Sequence, residues 1–236
     1  MKMEVFADDQ ATAQAAAGMI AAEARAAVAA RGRFVMAVSG GRTPWIMMRA
    51  LAGEEVPWEN VHVVQVDERV APDGDADRNI THLRESLLDH TPIPPDHVYA
   101  MPVESPDLEA AAAQYAATLA KIAGLPPTID LVHLGLGPDG HTASLVPGDP
   151  VLNVTQADVA LTGVYQGRRR MTLTYPIINR ARRILWLVTG SEKATMLERL
   201  NKVDLSIPSG RILQSRAVVF ADRAAAAIRA DASAKK

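Results

Sequence analysis

Short apolar runs alternate with longer amphipathic or Ala-rich stretches along this chain, and turn residues separate them. The apolar runs predict strands at about 33–38, 61–66, 98–101, 129–134, 170–175, 183–190 and 217–220. The stretches between them predict helices at about 9–31, 45–51, 77–89, 107–123 and 191–201, a short helix from Pro176 and a last Ala-rich helix after residue 220. Because strands and helices alternate throughout, we expect an α/β fold with a mainly parallel sheet and helices on both faces.

Two segments have more than one interpretation. The run Arg170–Tyr175 alternates polar and apolar residues, which leaves an antiparallel position open. Weak strand signals at 150–170 lie among glycines and fit either a lid or a plain hairpin. The first strand is expected at about residue 33, behind a single Ala-rich helix. No Pro/Gly/Ser-rich linker divides the chain, which predicts a single domain over 1–236 with a frayed tail at about 232–236.

Composition narrows the function classes. Apolar residues make up 48% of the chain and charged residues 22%, as is ordinary for a globular protein with a substantial core. The net charge of −2 favours neither nucleic acid nor an anionic membrane as a partner, so any anion site must be local. The N-terminus lacks the apolar core of a signal peptide, and no run of about 18 uncharged apolar residues occurs, which predicts a cytoplasmic protein.

Neither a metal nor a cofactor is expected. The chain has no cysteine, which excludes disulfides, thiolate zinc sites and cysteine nucleophiles. Four histidines lie on different predicted elements without metal-ligand spacing, namely His62, His82, His90 and His97. Neither a Walker A motif nor a Gly-x-Gly-x-x-Gly fingerprint opens a helix, so nucleotide binding is unsupported.

The stretch Leu134–Pro147, which reads LGLGPDGHTASLVP, is the most informative part of the chain. It follows a predicted buried strand and therefore lies at the carboxyl end of that strand, where open α/β sheets place ligand sites. His141 with Asp139 two positions earlier is suited to proton transfer near neutral pH. The alternative is a tight turn that contains a histidine by chance. His133 lies inside the strand and is expected to be a structural histidine.

A second loop, Ser39–Thr43, resembles a phosphate cradle. Gly40 and Gly41 free the backbone, hydroxyls flank them, and a helix that begins directly afterwards supplies partial positive charge. We assign the whole loop, including Arg42, to substrate binding. Its alternative is a glycine turn with a capping Ser or Thr.

Cationic side chains occur at or near two other predicted strand ends. Arg69 follows a strand directly and could fork onto phosphate or carboxylate oxygens, or pair with a nearby acid. Lys193 lies near a helix start, where the helix dipole disfavours a cation unless an anion binds there. Arg170 is a further candidate, although its run of arginines also fits a solvated face. Carboxyl ends of parallel strands share one edge, so we expect these loops to converge.

Five stretches of the chain carry these candidate residues: SGGRTP from Ser39, VDER from Val66 with Asn79 downstream, LGLGPDGHTASL from Leu134, RMTLTYP from Arg170 and VTGSEK from Val188. Together, in order and over nearly the whole chain, they resemble the 6-phosphogluconolactonases. The resemblance implies hydrolysis of 6-phospho-D-glucono-1,5-lactone to 6-phosphogluconate in the oxidative pentose phosphate pathway. It also implies the Rossmann-like fold of the glucosamine-6-phosphate deaminases. Arg78 departs from the pattern, because a small residue often precedes Asn79, and this arginine could alter access to the site or add another cation to it.

The resemblance also assigns roles. His141 matches the general base, Asp139 its neighbour in the motif, Arg69 and Lys193 the phosphate-site cations, and Gly40 with Gly41 the phosphate loop. We expect His141 to activate a water that attacks C1 of the lactone, with Asp139 or Asp67 orienting the imidazole. Backbone N–H groups of the phosphate loop or the Arg69 guanidinium are candidates for the oxyanion site.

Two other functions stay open at this point. Glucosamine-6-phosphate deaminases share several of these motifs, but their histidine motif typically continues to Glu-Pro where this chain has Val146-Pro147. Valine cannot titrate, which favours simple hydrolysis over ring opening and isomerisation. A sugar-phosphate-sensing domain on the same fold is the non-enzymatic alternative, and it usually carries a DNA-binding segment for which the predicted elements leave no room. As partners we expect a small sugar phosphate lactone, no nucleic acid and no membrane, with the protein a monomer or weak homo-oligomer.

Overall fold

The computed structural model describes residues 1–227 of the chain. It contains ten strands: β1 (Lys2–Phe6), β2 (Phe34–Val38), β3 (Val61–Gln65), β4 (Asp67–Arg69), β5 (Val98–Tyr99), β6 (Leu131–Leu134), β7 (Val159–Leu161), β8 (Arg170–Leu173), β9 (Arg183–Val188) and β10 (Ala217–Asp222). Its α-helices are α1 (Asp9–Arg31), α2 (Arg42–Ala52), α3 (Asn79–Ser86), α4 (Leu108–Ala123), α5 (Tyr175–Arg180) and α6 (Ala194–Asn201). Residues 223–227 begin the last predicted helix, and the expected frayed tail at about 232–236 lies outside the described residues.

Seven strands form one parallel sheet in the order β1-β10-β9-β6-β2-β3-β5. Their side chains are buried on both faces where the sheet is central: Phe34, Met36 and Val38 of β2 point into one apolar cluster, and Val35 and Ala37 into the other. A strand covered on both faces reads as a continuous apolar run, which is why the central strands were predictable. The predicted α/β class with a mainly parallel sheet is confirmed.

Helices α1, α2 and α3 cover one face of the sheet, and α4, α5 and α6 cover the other. The Ala-rich helix α1 begins after the N-cap Asp8, whose carboxylate accepts the Ala11 N–H, and ends at Gly32. Its buried residues are mostly alanines, so the helix packs closely on α2 and the sheet. The small alanine side chains therefore allow α1 to approach its neighbours closely. The predicted helix at 9–31 is confirmed.

The strand prediction was wrong at the N-terminus. Lys2–Phe6 is β1 and pairs with β10 at the sheet edge, ahead of the strand expected as the first. An edge strand is covered less completely, and β1 carries Lys2 and Glu4 among its five residues. The apolar signal of β1 is therefore too weak to be recognised as a buried strand from the sequence.

Residues 67–69 are also a strand rather than the predicted loop. β4 leaves the main sheet directly after Val66 and pairs antiparallel with β8, which pairs in turn with β7. The segment around 150–170 is thus a hairpin, closed by a turn in which Tyr165 and Arg168 face each other. This small sheet places the hairpin turn beside the carboxyl edge of the main sheet. No helix within residues 1–227 is long and apolar enough to cross a bilayer.

Candidate active site

A cavity of about 540 Å³ opens at the carboxyl edge of the main sheet. The loops after β2, β6 and β9 contribute to it, and so do β4 and β8 of the small sheet. Of the predicted site residues, only Asp139 does not line it; the others are Ser39, Gly40, Gly41, Arg42, Thr43, Asp67, Arg69, His141, Arg170 and Lys193. The expected convergence of distant loops is therefore present in the structure.

The first loop presents the start of α2 to the cavity. Gly41 has a φ of 133°, which only glycine adopts readily, and no side chain caps the helix that follows. A methyl group on Gly40 would collide with the Asn79 side chain. The Ser39 hydroxyl does not cap α2, because it donates to the His133 carbonyl at 2.9 Å. The first N–H groups of α2 therefore lack a side-chain acceptor, as an anion site at a helix N-terminus requires.

His141 and Asp139 form a close pair beside this loop. The His141 Nδ1 lies 2.5 Å from Asp139 Oδ1, and the same oxygen accepts the His141 backbone N–H at 3.1 Å. A side chain at Gly137 would occupy the space of the imidazole and of the carboxylate, so this glycine is needed for the pair to form. The contact leaves Nε2 as the ring nitrogen without a hydrogen bond in residues 1–227.

A tyrosine that the sequence pattern did not single out completes this group. The Tyr165 hydroxyl donates to Asp139 Oδ2 at 3.1 Å, and its ring meets the His141 ring edge-on at 5.5 Å between centroids. Burial alone would raise the pKa of Asp139, but the hydrogen bonds and charge of His141 and the Tyr165 hydroxyl together lower it. Glycines around the hairpin turn were the only sequence signal near Tyr165.

Asp67 does not orient His141. Its Oδ2 accepts the Ser144 hydroxyl at 2.6 Å, and its backbone carbonyl accepts the Asn79 amide at 2.9 Å. Of the two acids considered from sequence, Asp139 is the one that contacts the imidazole. Asp67 instead ties β4 to the histidine loop and to the start of α3.

Two arginines are neighbours across the strand pair β4–β8. Arg69 lies directly opposite Arg170 in the register, and the Nε atoms of both are buried without an acceptor in the described part of the chain. Burial is the main cause that lowers the pKa of Arg170, and the charge of Arg69 acts in the same direction while Asp67 opposes it. Like charges directly opposite each other destabilise a strand pair. An anion bound between them would relieve this cost.

The other predicted cations differ in their surroundings. Lys193 ends the 3-10 turn Ser191–Lys193 ahead of α6, is partly buried, and has no ion pair within residues 1–227. Burial lowers its pKa, while the charges of Glu192 and Asp139 act to raise it. The Arg42 guanidinium is largely exposed and pairs with Asp9 at 3.1 Å. Arg42 lines the cavity at the start of α2, but its guanidinium is engaged by Asp9.

Arg78 and Glu68 form a buried ion pair behind the cavity. Arg78 Nε lies 3.1 Å from Glu68 Oε2, with side chains 3% and 0% exposed. Glu68 also accepts the backbone N–H groups of Asn79 and Ile80, so it caps α3. Arg78 therefore adds no cation to the cavity, in contrast to the possibility raised by its unusual position in the motif.

His133 is the structural histidine expected from its place in β6. It is fully buried, and its Nδ1 accepts a hydrogen bond from the Ser39 backbone N–H, with 3.3 Å between the two nitrogens. Burial lowers its pKa to about 3, so the ring is neutral at physiological pH. Its contacts with Ser39 hold the start of the loop that precedes α2. Among residues 1–227 no three acidic, histidine or cysteine side chains are grouped as a metal site would require.

Sequence comparison connects this site to known proteins. The family model described as "Glucosamine-6-phosphate isomerases/6-phosphogluconolactonase" matches residues 7–220. The chain belongs to this family. Both activities in that description act on phosphorylated sugars, and the match spans β2 to β10 together with the loops that line the cavity.

Individual members of the glucosamine-6-phosphate isomerase/6-phosphogluconolactonase family are similar over most of their length. A 6-phosphogluconolactonase of Synechocystis sp. is 42% identical over 171 residues, covering 71% of each chain. One of Mycobacterium tuberculosis is 36% identical over 239 residues, covering 95% of this chain and 97% of its own. The crystal structure of the Thermotoga maritima 6-phosphogluconolactonase superposes with a TM-score of 0.82 at 25% identity, covering 94% and 98% of the two chains. The resemblance found in the motifs is confirmed.

Proposed function

We propose that this protein is a 6-phosphogluconolactonase that hydrolyses 6-phospho-D-glucono-1,5-lactone to 6-phosphogluconate. One observation carries the proposal beyond the names of its relatives. His141, hydrogen-bonded to Asp139, lines the same cavity as the opposed arginines Arg69 and Arg170 and as Lys193, which has no ion pair within residues 1–227. A proton acceptor beside a cluster of cations suits a substrate that joins a reactive ester to a phosphate.

The phosphate anchors the substrate. Near neutral pH a phosphate monoester carries about −1.5 to −2 charge and offers several strong acceptors. Arg69, Arg170 and Lys193 supply the charge, and the uncapped start of α2 supplies backbone N–H donors. Binding at this remote group holds C1 of the lactone against the water that attacks it.

His141 is the general base in this proposal. Asp139 at Nδ1 favours the tautomer that carries its proton there, so Nε2 has the free lone pair. Nε2 takes a proton from water as the water oxygen attacks C1, and the ring oxygen leaves with a proton returned by the imidazolium. Asp139 stabilises the positive charge that the ring carries between these transfers. Backbone N–H groups of Gly40 and Gly41 or the Arg69 guanidinium are the candidate donors for the oxyanion, and the group that serves there is not also a ligand of the remote phosphate.

Residue 146 is proposed to separate hydrolysis from deamination. Val146 is buried and apolar at the position where the deaminase motif typically carries glutamate. A valine can neither accept nor return a proton, so the ring opening and isomerisation of glucosamine 6-phosphate lose a participant. Lactone hydrolysis needs no such group.

A paired substrate assay tests this function. Purified protein should release acid from freshly prepared 6-phosphogluconolactone and no ammonia from glucosamine 6-phosphate. The His141→Ala variant should lower kcat by about 100-fold or more, the usual loss of a general base, while changing KM little. Ammonia release would favour the deaminase, and activity on neither substrate would favour a sensing domain. A cytoplasmic location and a monomeric or weakly oligomeric state stay predictions.

A further inference from the structure

The hairpin between β7 and β8 carries its turn to the edge of the cavity, and Tyr165 stands in that turn. Neighbouring backbone angles hold it there: Gln166 has a φ of 51° and Gly167 a φ of 81°. Arg170, four residues after Gln166, donates to the Gln166 side chain at 3.1 Å. The turn is therefore tied to a residue of the proposed phosphate site.

Tyr165 contacts both halves of the site. Its hydroxyl reaches Asp139 Oδ2 at 3.1 Å and lies 3.5 Å from His141 Nδ1. Its ring lies under the Arg170 guanidinium, whose Cζ is 4.9 Å from the ring centroid, within the range of a cation–π contact. The Tyr165 side chain thus connects the His141–Asp139 pair to Arg170, a residue of the proposed phosphate site.

The hydroxyl has a defined part in this geometry. Asp139 directs Oδ1 to His141 and Oδ2 to Tyr165, so both carboxylate oxygens are held and the carboxylate cannot rotate away from the ring. Tyr165 does not line the cavity, and its hydroxyl donates a hydrogen bond to Asp139, so it acts through other residues. Within residues 1–227 the other titratable groups near the Asp139 carboxylate are His141 and Lys193, and the Arg170 guanidinium lies over the Tyr165 ring.

We propose that Tyr165 is a positioning residue with two separable actions. Its hydroxyl fixes the orientation of the Asp139 carboxylate, which in turn holds the His141 ring for proton transfer. Its ring holds the Arg170 guanidinium in place for the substrate phosphate. This inference rests on the proposed lactonase function for its kinetic test, and a separate physical measurement tests the hydroxyl contact alone.

Two substitutions separate the actions. Tyr165→Phe removes the hydroxyl and keeps the ring under Arg170, so kcat should fall by about 10-fold, the scale of one hydrogen bond to a charged group, with KM unchanged. Tyr165→Leu removes both, so kcat should fall similarly and KM should rise by about 3-fold or more. The matched control is Tyr175→Phe, because the Tyr175 hydroxyl donates to the Pro208 carbonyl away from the cavity.

The pH dependence distinguishes positioning from a loss of stability. Burial raises the pKa of Asp139, and the contacts with His141 and, to a smaller extent, the Tyr165 hydroxyl lower it. Without that hydroxyl, in Tyr165→Phe, the Asp139–His141 pair should take up a proton slightly more readily. The acid limb of the pH–rate profile should then move to higher pH. The Asp139 carboxyl carbon, followed by NMR without substrate, should titrate at higher pH in this variant than in the wild type.

The outcomes are separable. Wild-type protein that does not hydrolyse the lactone contradicts the proposed function, and the NMR titration still decides the hydroxyl contact. If the wild type is active but Tyr165→Phe keeps its kcat within about two-fold and the Asp139 titration does not move, the inference is wrong. A kcat loss in Tyr175→Phe equal to that in Tyr165→Phe would also overturn it, since any tyrosine hydroxyl would then have the same effect.

Discussion

Replacing His133 should change how the stability of the protein depends on pH. The ring is fully buried in β6, and burial lowers its pKa from 6.5 to about 3. The unfolded chain therefore binds a proton below about pH 6.5 that the folded state does not bind. With more protons bound in the unfolded state, stability is lost as pH falls through this window and is fully present above it.

The magnitude follows from the linkage relation. One proton of difference changes the free energy of unfolding by about 1.4 kcal/mol per pH unit. Between about pH 6 and pH 4.5 the unfolded histidine is mostly protonated and the buried one is neutral, so His133 alone should remove about 2 kcal/mol. In His133→Asn this loss should disappear, because asparagine does not titrate and can still accept the Ser39 N–H.

Urea unfolding of both proteins at the two pH values measures the difference. Other groups with lowered pKa, such as His62, are present in both proteins and cancel. His133→Leu, which also cannot titrate but removes the acceptor of Ser39, should be less stable at pH 7 and show the same weakened pH dependence as His133→Asn. Equal losses on acidification in wild type and both variants would refute the reasoning that burial keeps this ring neutral.

Three further substitutions test the site and its support. Gly137→Ala should lower kcat by about 10-fold or more because the added methyl displaces the His141 ring from its productive position, while the melting temperature stays close to that of the wild type. Lys193→Ala should mainly raise KM, by about 10-fold, because one charge-assisted contact to the phosphate is lost. Arg78→Leu should cost about 3–5 kcal/mol of stability in urea unfolding, because it leaves the Glu68 carboxylate buried without its counter-charge.

Two of these, Gly137→Ala and Arg78→Leu, have a matched comparison. Gly135→Ala adds a methyl to the same loop with no atom within 4 Å and should cost less activity than Gly137→Ala. Lys202→Ala breaks the exposed i,i+4 pair with Glu198 and should cost less than about 1 kcal/mol. An unchanged KM in Lys193→Ala would remove that residue from the proposed phosphate site. Equal stability losses in Arg78→Leu and Lys202→Ala would show that burial does not strengthen the first pair.

The local pattern of apolar and polar residues was enough to predict most strands and helices, but not which strands pair with each other. The strand β6 was predictable because a buried parallel strand is a continuous apolar run, and the glycine-containing loop that carries His141 begins directly after it. The strand β4 was not, because three polar residues carry no apolar signal. Its pairing with β8 puts Asp67 and Arg69 on one face and Glu68 on the other, so one short motif serves the cavity and the core.

The sequence by itself determined most of the strands and helices, the parallel α/β class and the loops that carry His141, Asp139 and the proposed phosphate cradle. These depend on periodicity and turn chemistry over a few residues. Only the tertiary structure decided that Arg69 faces Arg170, that Asp139 rather than Asp67 meets the imidazole, and that Tyr165 joins the pair. Arg69 and Arg170, like Tyr165 and Asp139, are brought together by pairing between distant segments, and strand register and hairpin position do not follow from the residues on either side alone.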